Sequence, residues 1–292
     1  MLAVTANAAT LARWDFNDKA VGQQAVVGER VHDSSGNGRD IYLQSVITVP
    51  EYRSPSIDYG YGTGAAIYAN AIGTMKLVFE PGYDFGDGGP VAGTAFGNFS
   101  FTDSFTMEAV VKFPVNIANT TPKTFCAILS KIGGDSTATQ WWWRIENGDW
   151  MKFCMRADDG SQKTAGSAMP MNIYDGNWHH IAVVRDTTDS SIRFFLDYNQ
   201  FLTTADITTS DFYNNAGKVC VGNFRDINDR DFIGSIDIVR VSDTALTPAE
   251  FLERTICGVD VEDGDLDENC KIDLADFAIM AGNWLTSGYD EF

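Results

Sequence analysis

The stretch Trp178-His-His-Ile-Ala-Val-Val-Arg185, followed by Ser191-Ile-Arg-Phe-Phe-Leu-Asp197, decides the fold class. Both runs are strand-length and rich in β-branched and aromatic residues. Turn-forming clusters bound them, Asp175-Gly-Asn177 before the first and Asp197-Tyr-Asn199 after the second. The same grammar recurs on either side, at Phe105-Thr-Met-Glu-Ala-Val-Val-Lys-Phe113, Lys218-Val-Cys-Val-Gly222 and Ile233-Gly-Ser-Ile-Asp-Ile-Val-Arg-Val241. Further turns fall at Ser34-Ser-Gly-Asn-Gly38 and Asp158-Asp-Gly160. Many short strands and few helical stretches from residue 10 to residue 256 predict one all-β domain, an antiparallel sandwich. One helix is expected, Pro248–Arg254, with Thr247 as its cap, Pro248 in its first turn and Glu250 completing a capping box.

Composition supports a packed core and narrows the function. Of 292 residues, 44% are hydrophobic and 12% aromatic, too apolar for a disordered chain. Asp and Glu total 40 against 21 Lys and Arg, a formal charge of −19. That excess works against neutralising nucleic-acid phosphates and against docking on an anionic membrane. No apolar run is long enough to cross a bilayer as a helix. The charge is uneven: residues 257–292 carry ten acidic residues and one Lys, about half of the imbalance in the last 36 positions. A domain boundary is placed there, near Cys257. At the other end, Met1 to Ala9 is small and apolar and closes on Ala6-Asn7-Ala8. It reads either as the remnant of a secretory signal peptide or as an ordinary frayed terminus.

In order along the chain, Trp14-Asp-Phe-Asn17, Asp33-Ser-Ser-Gly-Asn-Gly38, Ser104-Phe-Thr-Met-Glu-Ala109, Asn177-Trp-His-His-Ile-Ala-Val-Val184, Phe232-Ile-Gly-Ser-Ile-Asp-Ile-Val-Arg-Val241 and Asp243-Thr-Ala-Leu-Thr-Pro-Ala-Glu250 resemble the laminin-G-like, concanavalin-A-like jelly-roll family. The resemblance implies two stacked antiparallel sheets and a role in extracellular recognition. It also implies one structural Ca²⁺ near the chain ends, for which the matching positions are Asp33, Asn37 and Asp237. The Asp33 loop also reads as a plain tight turn.

Some relatives of that family cleave glycans, which requires two carboxylates about 5–10 Å apart in a cleft. The sequence offers no strand with acids at i and i+2 or i+4. Glu108 stands alone on its strand, Glu146 shares a hairpin turn with Asp149, and the pairs Asp186/Asp189 and Asp226/Asp229 lie in loops. The three histidines suggest no catalytic arrangement, and the Trp-His-His strand reads as structural. A non-enzymatic protein is expected.

The hairpin from Gln140 to Arg156 is the most ligand-like feature. Asn147-Gly148 favours a two-residue turn, which would set Ile145 opposite Trp150 and Trp143 opposite Lys152. Strand alternation then puts Trp141, Trp143, Ile145, Trp150, Lys152, Cys154 and Arg156 on one side, and Trp142, Arg144, Met151, Phe153 and Met155 on the other. The second set is the better core. The first, with Trp141, Trp143, Trp150, Lys152 and Arg156, offers flat rings for pyranoses and cations for hydroxyls or acids. The alternative is that these tryptophans pack beneath neighbouring loops.

The tail contains Asp265-Leu-Asp-Glu-Asn-Cys-Lys-Ile-Asp-Leu-Ala-Asp276. Side-chain oxygens fall at positions 1, 3, 5, 9 and 12 of a twelve-residue loop: Asp265, Asp267, Asn269, Asp273 and Asp276. Lys271 at position 7 contributes its backbone carbonyl. This is the spacing that wraps oxygens around one Ca²⁺. With Asp in the last place and no helix before the loop, and with Asp276-Phe-Ala-Ile-Met-Ala-Gly-Asn-Trp-Leu285 after it, the tail resembles a single dockerin-type repeat. Cys270 takes the place of the usual Gly, and a Cys257–Cys270 bridge would staple a module too small to build its own core. The apolar stripe Leu274, Phe277, Ala281 and Trp284 would pack on the sandwich or be offered to a partner. The pairing of Cys126, Cys154 and Cys220 is left open.

The expectation is therefore a secreted or cell-surface recognition protein that binds carbohydrate or a surface glycan, with a calcium-stabilised anchoring or assembly module at residues 257–292. A self-associating matrix, coat or filament protein is the alternative, and a polysaccharide-cleaving enzyme the third reading.

Overall fold

A computed structural model describes residues 10–19, 23, 24, 26, 29–43, 51–53, 66–69, 77–79, 104–115, 125–133, 139–147, 149–156, 161–206, 217–222, 232–252, 277 and 281. Two antiparallel sheets form a sandwich with almost no helix. In chain order the strands are β1 (Thr10–Trp14), β2 (Arg30–Val31), β3 (Ile41–Leu43), β4 (Glu51–Arg53), β5 (Ala66–Ala69), β6 (Leu77–Phe79), β7 (Phe105–Lys112), β8 (Phe125–Gly133), β9 (Thr139–Glu146), β10 (Trp150–Arg156), β11 (Gln162–Ala168), β12 (Trp178–Asp186), β13 (Ser191–Leu196), β14 (Asn199–Ala205), β15 (Gly217–Val221) and β16 (Gly234–Ser242).

The first sheet runs β14-β13-β12-β7-β16-β5-β4, and β1 also lies along β16. β1 pairs with Val239–Ser242 and β5 with Gly234–Ile236, so the two short strands share one side of β16. The β16–β7 register shifts between Ile236 and Ile238, at the handover. The second sheet runs β11-β10-β9-β8-β15-β6-β3-β2. Two runs, β8–β11 and β12–β14, pair in chain order within one layer, whereas β7 and β16 lie side by side although far apart in sequence. From β6 onward the chain crosses between layers at β6–β7, β7–β8, β11–β12, β14–β15 and β15–β16.

Between the layers lies one large apolar cluster. Met107, Ala109, Val111, Ile181, Val183, Phe194, Val239 and Val241 of the first sheet face Trp141, Trp143, Ile145, Met151, Phe153 and Met155 of the second. Phe105 meets Phe153 with ring centres 5.4 Å apart, and Phe113 packs edge-on against Tyr174 at 4.9 Å. β7 and β12 are buried on both faces, which is why they read as near-continuous apolar runs. Their outer face is covered by the segment 243–252. Leu246 and Phe251 pack on Ala182, Val184 and Phe195, and Leu252 packs on Val110 and Ile238.

That segment corrects one expectation. The predicted helix Pro248–Arg254 is reduced to a single 3₁₀ turn, Pro248–Glu250. Its capping box forms: the Glu250 carboxylate accepts from the Thr247 amide and hydroxyl at 2.9 and 2.8 Å. Propagation stops because Phe251 and Leu252 are drawn into the sheet surface, each about 97% buried. The Leu252 amide donates to Glu108 Oε2 at 2.8 Å rather than to a helical carbonyl.

Candidate binding face

The hairpin β9–β10 has the predicted strands and a different register. Glu146 pairs with Trp150, so the loop is three residues, 147–149, with Asn147 at φ +54°. One additional loop residue inverts the facing of β10 relative to β9. Met151, Phe153 and Met155 then stand opposite Ile145, Trp143 and Trp141, and all six are buried in the core. The two-residue turn would have aligned Lys152 and Arg156 with Trp143 and Trp141 against the other sheet, a desolvation cost that no local turn preference can match. Trp141 and Trp143 are therefore core residues, both at 0% exposure, and are removed from the proposed platform. Trp150, Lys152 and Arg156 remain on the outer face, joined by Trp142, Arg144 and Glu146, which the sequence reading placed elsewhere.

On that outer face the charges and rings interlock. Arg144 lies over the Trp142 ring at 3.7 Å and the Phe125 ring at 4.4 Å. Its Nε donates to Glu146 Oε1 at 2.7 Å, and its Nη2 also pairs with that carboxylate. Lys152 Nζ donates to Glu146 Oε2 at 2.6 Å while sitting 5.3 Å from the Trp150 ring centre. Glu146 is thus saturated by cationic donors and 6% exposed, whereas Trp150 is 40% exposed. Beneath the long side chains Ala127, Trp142 and Cys154 form a small buried cluster. Burial raises the Cys154 thiol pKa, and Gln162 Nε2 lies 2.9 Å from its sulfur.

The neighbouring strand β11 gives this face its shape. Ala168, Gly166, Thr164 and Gln162 stand opposite Trp150, Lys152, Cys154 and Arg156. Gly166 is required here, at φ +153°: a Cβ would lie 2.4 Å from the Met151 carbonyl oxygen and 2.8 Å from Lys152 Cγ. Small side chains on β11 thus form a shelf beside the wall made by Trp150 and Lys152. Among the described residues β11 is the last strand of its sheet.

The other predicted ligand sets fare differently. Asp33 is a turn builder. Its Oδ1 accepts from the amides of Arg13 and Ser35 at 2.9 and 3.0 Å, and its Oδ2 from the amide of Arg39 at 2.9 Å. Asn37 turns its amide nitrogen to the carbonyls of Thr10 and Leu11, at 2.8 and 3.2 Å. Asp237 is buried on β16 at the register shift. The Asp33 oxygens thus shape the early loop through three backbone donors. Among the described residues no group of three or more His, Cys, Asp or Glu is arranged to hold a metal. Asp265, Asp267, Asn269, Lys271, Asp273, Asp276, Cys257 and Cys270 lie outside the described residues, as does 1–9. Of the tail's apolar stripe, Phe277 and Ala281 are described as helical, with Phe277 exposed. Cys126, Cys154 and Cys220 are buried.

The polar cluster that sequence reasoning missed lies on the other sheet. Glu108, at 0% exposure, accepts from Arg240 Nε at 2.5 Å and the Leu252 amide at 2.8 Å, and its Oε2 is 2.8 Å from His180 Nε2. His180 stacks on Tyr198 at 4.5 Å, and the Tyr198 hydroxyl donates to the Leu252 carbonyl at 2.8 Å. Sealed from solvent, this carboxylate reaches no substrate and instead fastens the segment 243–252. His179 is held between Asp197 at 2.9 Å and Asp175 at 3.1 Å. Burial alone would lower its pKa, yet the two carboxylates raise it above the ordinary value. Glu108 faces Arg240 directly across β7–β16 and lies diagonal to His180, contacts that only the strand order reveals.

The comparisons agree with this architecture. The laminin G-type profile described as Concanavalin A-like lectin/glucanases superfamily matches residues 85–251, more than half of the chain. No curated protein matches it. Among solved structures, the binding domain of Paraclostridial Mosquitocidal Protein 1 is similar at 15% identity and TM-score 0.52, covering 80% of this chain and 51% of that one. The botulinum neurotoxin serotype D ligand binding domain in complex with N-acetylneuraminic acid aligns at 8% identity and TM-score 0.56, covering 82% and 49%. The binding domain of botulinum neurotoxin DC in complex with rat synaptotagmin II aligns at 8% and 0.54, covering 83% and 50%. At these identities the likeness is one of fold, and the chain spans about half the length of each of these structures.

Proposed function

Because the chain belongs to the Concanavalin A-like lectin/glucanases superfamily, we propose that it is a non-catalytic recognition protein whose sandwich binds carbohydrate on the outer face of β9–β11. The observation that carries this reading is Trp150, a large ring left 40% exposed above a shelf of small residues, with Lys152 fixed beside it. An exposed aromatic next to fixed polar groups suits stacking against a pyranose ring and hydrogen bonding to its hydroxyls. Similar folds described as binding domains, one in complex with a sugar and one with a protein, support a binding role over a catalytic one.

In the same reading the acidic tail is a separate module acting as an anchor or assembly element outside the cell. Asp265, Asp267, Asn269, Asp273 and Asp276, with the Lys271 carbonyl, donate to one Ca²⁺, and Cys257 bridges Cys270. What supports this is the oxygen spacing in the sequence and the concentration of negative charge there. A glycan array tests the central claim. The wild-type protein is expected to be retained on specific glycans, and Trp150→Ala to lose retention while melting within about 4 °C of the wild type. Undiminished retention by the variant would refute the assignment of this face.

A further inference from the structure

We infer that Glu146 is a positioning residue for Trp150, acting through Lys152, and that the ligand so prepared for is a neutral sugar held by its C–H face. The inference deepens the carbohydrate-binding reading and rests on it. On the outer face of the sheet Trp150 has three neighbours: Glu146 across on β9, Ala168 across on β11 and Lys152 two residues along its own strand. Two of the three are tied together, since Lys152 Nζ donates to Glu146 Oε2 at 2.6 Å. Glu146 is itself held. Arg144, stacked over the Trp142 ring at 3.7 Å and the Phe125 ring at 4.4 Å, donates from Nε to Glu146 Oε1 at 2.7 Å. This relay ends with the Lys152 ammonium 5.3 Å from the centre of the Trp150 ring, within the range where a cation attracts an indole. The third neighbour, Ala168, carries only a methyl group, and Gly166 beyond it carries no side chain. An indole ordered in advance loses less freedom when a sugar stacks on it.

The charged groups of the face disfavour an acidic ligand. Both oxygens of Glu146 are engaged, and the residue is 6% exposed. Lys152 already serves that carboxylate, and Arg156 is engaged within the protein. At the far end Gln162 Nε2 lies 2.9 Å from Cys154 Sγ. An acid group brought to Lys152 would stand close to the Glu146 carboxylate, and the like charges would oppose each other. The formal charge of −19 on the whole chain also repels a polyanion. What the face presents without breaking any of these pairs is indole surface. The negative face of an aromatic ring suits the C–H groups of a pyranose, whereas a carboxylate or sulfate placed there loses hydration without gaining a partner.

The test is affinity electrophoresis of the whole chain in gels holding soluble β-glucan, xylan, galactomannan or arabinogalactan, beside polygalacturonate and chondroitin sulfate. Calorimetry with oligosaccharides of the strongest binder follows, at low and high salt. A neutral polymer is expected to bind, its affinity changing by less than about twofold with salt, because screening acts on charge pairs and not on stacking. Glu146→Gln keeps the shape and removes the charge, and Lys152→Met keeps the stem and removes the ammonium. Each should weaken binding by about two- to fivefold, the range of one exposed cation–π contact. The double variant should bind no more weakly than the weaker single one, since both changes interrupt the same relay. In both single variants the indole N–H resonance of Trp150, assigned by its loss in Trp150→Ala, should move while those of the buried Trp14, Trp141 and Trp143 hold. Wild-type affinity in either single variant, losses that multiply, or an unmoved Trp150 resonance refutes the positioning role. Stronger binding to the acidic polymers, or affinity that falls steeply with salt, overturns the neutral-sugar inference and leaves the carbohydrate reading standing. Binding to no polymer and to no arrayed glycan overturns both.

Discussion

Replacing Trp143 and Trp150 separately by Ala distinguishes the observed hairpin register from the one its turn sequence suggests. Trp143 is fully buried, opposite Phe153 on β10 and Leu129 on β8. Removing a buried indole forfeits roughly 200 Å² of apolar contact, worth about 5 kcal/mol at about 25 cal/mol/Å² as an upper estimate. Measured aromatic-to-Ala losses in cores run at about 3–5 kcal/mol. In a domain of this size each kcal/mol lowers the melting temperature by about 2–4 °C, so Trp143→Ala should melt roughly 6–20 °C below the wild type. Trp150, 40% exposed with only part of its ring packed, should cost no more than about 1 kcal/mol, or about 4 °C. Differential scanning calorimetry of the two purified variants reads both numbers. If Trp143→Ala melts within 2 °C of Trp150→Ala, the facing of the hairpin described above is wrong.

Four further outcomes are expected. Glu108→Ala leaves His180, Arg240 and the Leu252 amide without their common acceptor, a loss of about 3–5 kcal/mol, with hydrogen exchange at Leu246 and Leu252 accelerated ahead of the core; unchanged protection there would refute the fastening role. His179, raised in pKa by Asp197 and Asp175, contributes stability that is complete below its unfolded value of about 6.5 and is lost as pH rises through the folded one. The melting temperature of wild type relative to His179→Gln should therefore fall between slightly acidic and alkaline pH, and a difference independent of pH would contradict this. Gly166→Ala drives a Cβ into the Met151 carbonyl, so both melting temperature and glycan retention should fall, and a neutral substitution would place β11 farther from β10. Isothermal titration should detect Ca²⁺ binding in the whole chain and lose it in Asp265→Ala/Asp276→Ala, whereas wild type without heat would eliminate the calcium loop.

Most strands were legible in the sequence because β-branched and aromatic runs between Asp-Gly and Asn-Gly clusters mark them locally. Phe105–Lys112, Trp178–Asp186, Ser191–Leu196 and Gly234–Ser242 fall within a residue or two of where those runs place them. Facing was less legible. At Asn147-Gly148 a two-residue and a three-residue loop are locally similar, and the choice depends on which six side chains fill the space against the opposite sheet. An available signal was the apolar set Met151, Phe153 and Met155, which matches Trp141, Trp143 and Ile145 only with the longer loop. The helix expected after Thr247 failed for a related reason: its capping box is local and forms, but Phe251 and Leu252 answer to the sheet below. The Glu108–His180–Arg240 cluster spans 132 positions of sequence and becomes visible only once β7 is known to lie between β12 and β16.

The segment 243–252 crosses the outer surface of one sheet, and Trp150 stands on the outer surface of the other. Leu252, held by Glu108 and Tyr198, thus marks a departure point on the far side of the molecule from the tryptophan. A ligand stacked on Trp150, as proposed, would lie across the full thickness of the sandwich from this segment, so that loading one surface leaves the other uncovered.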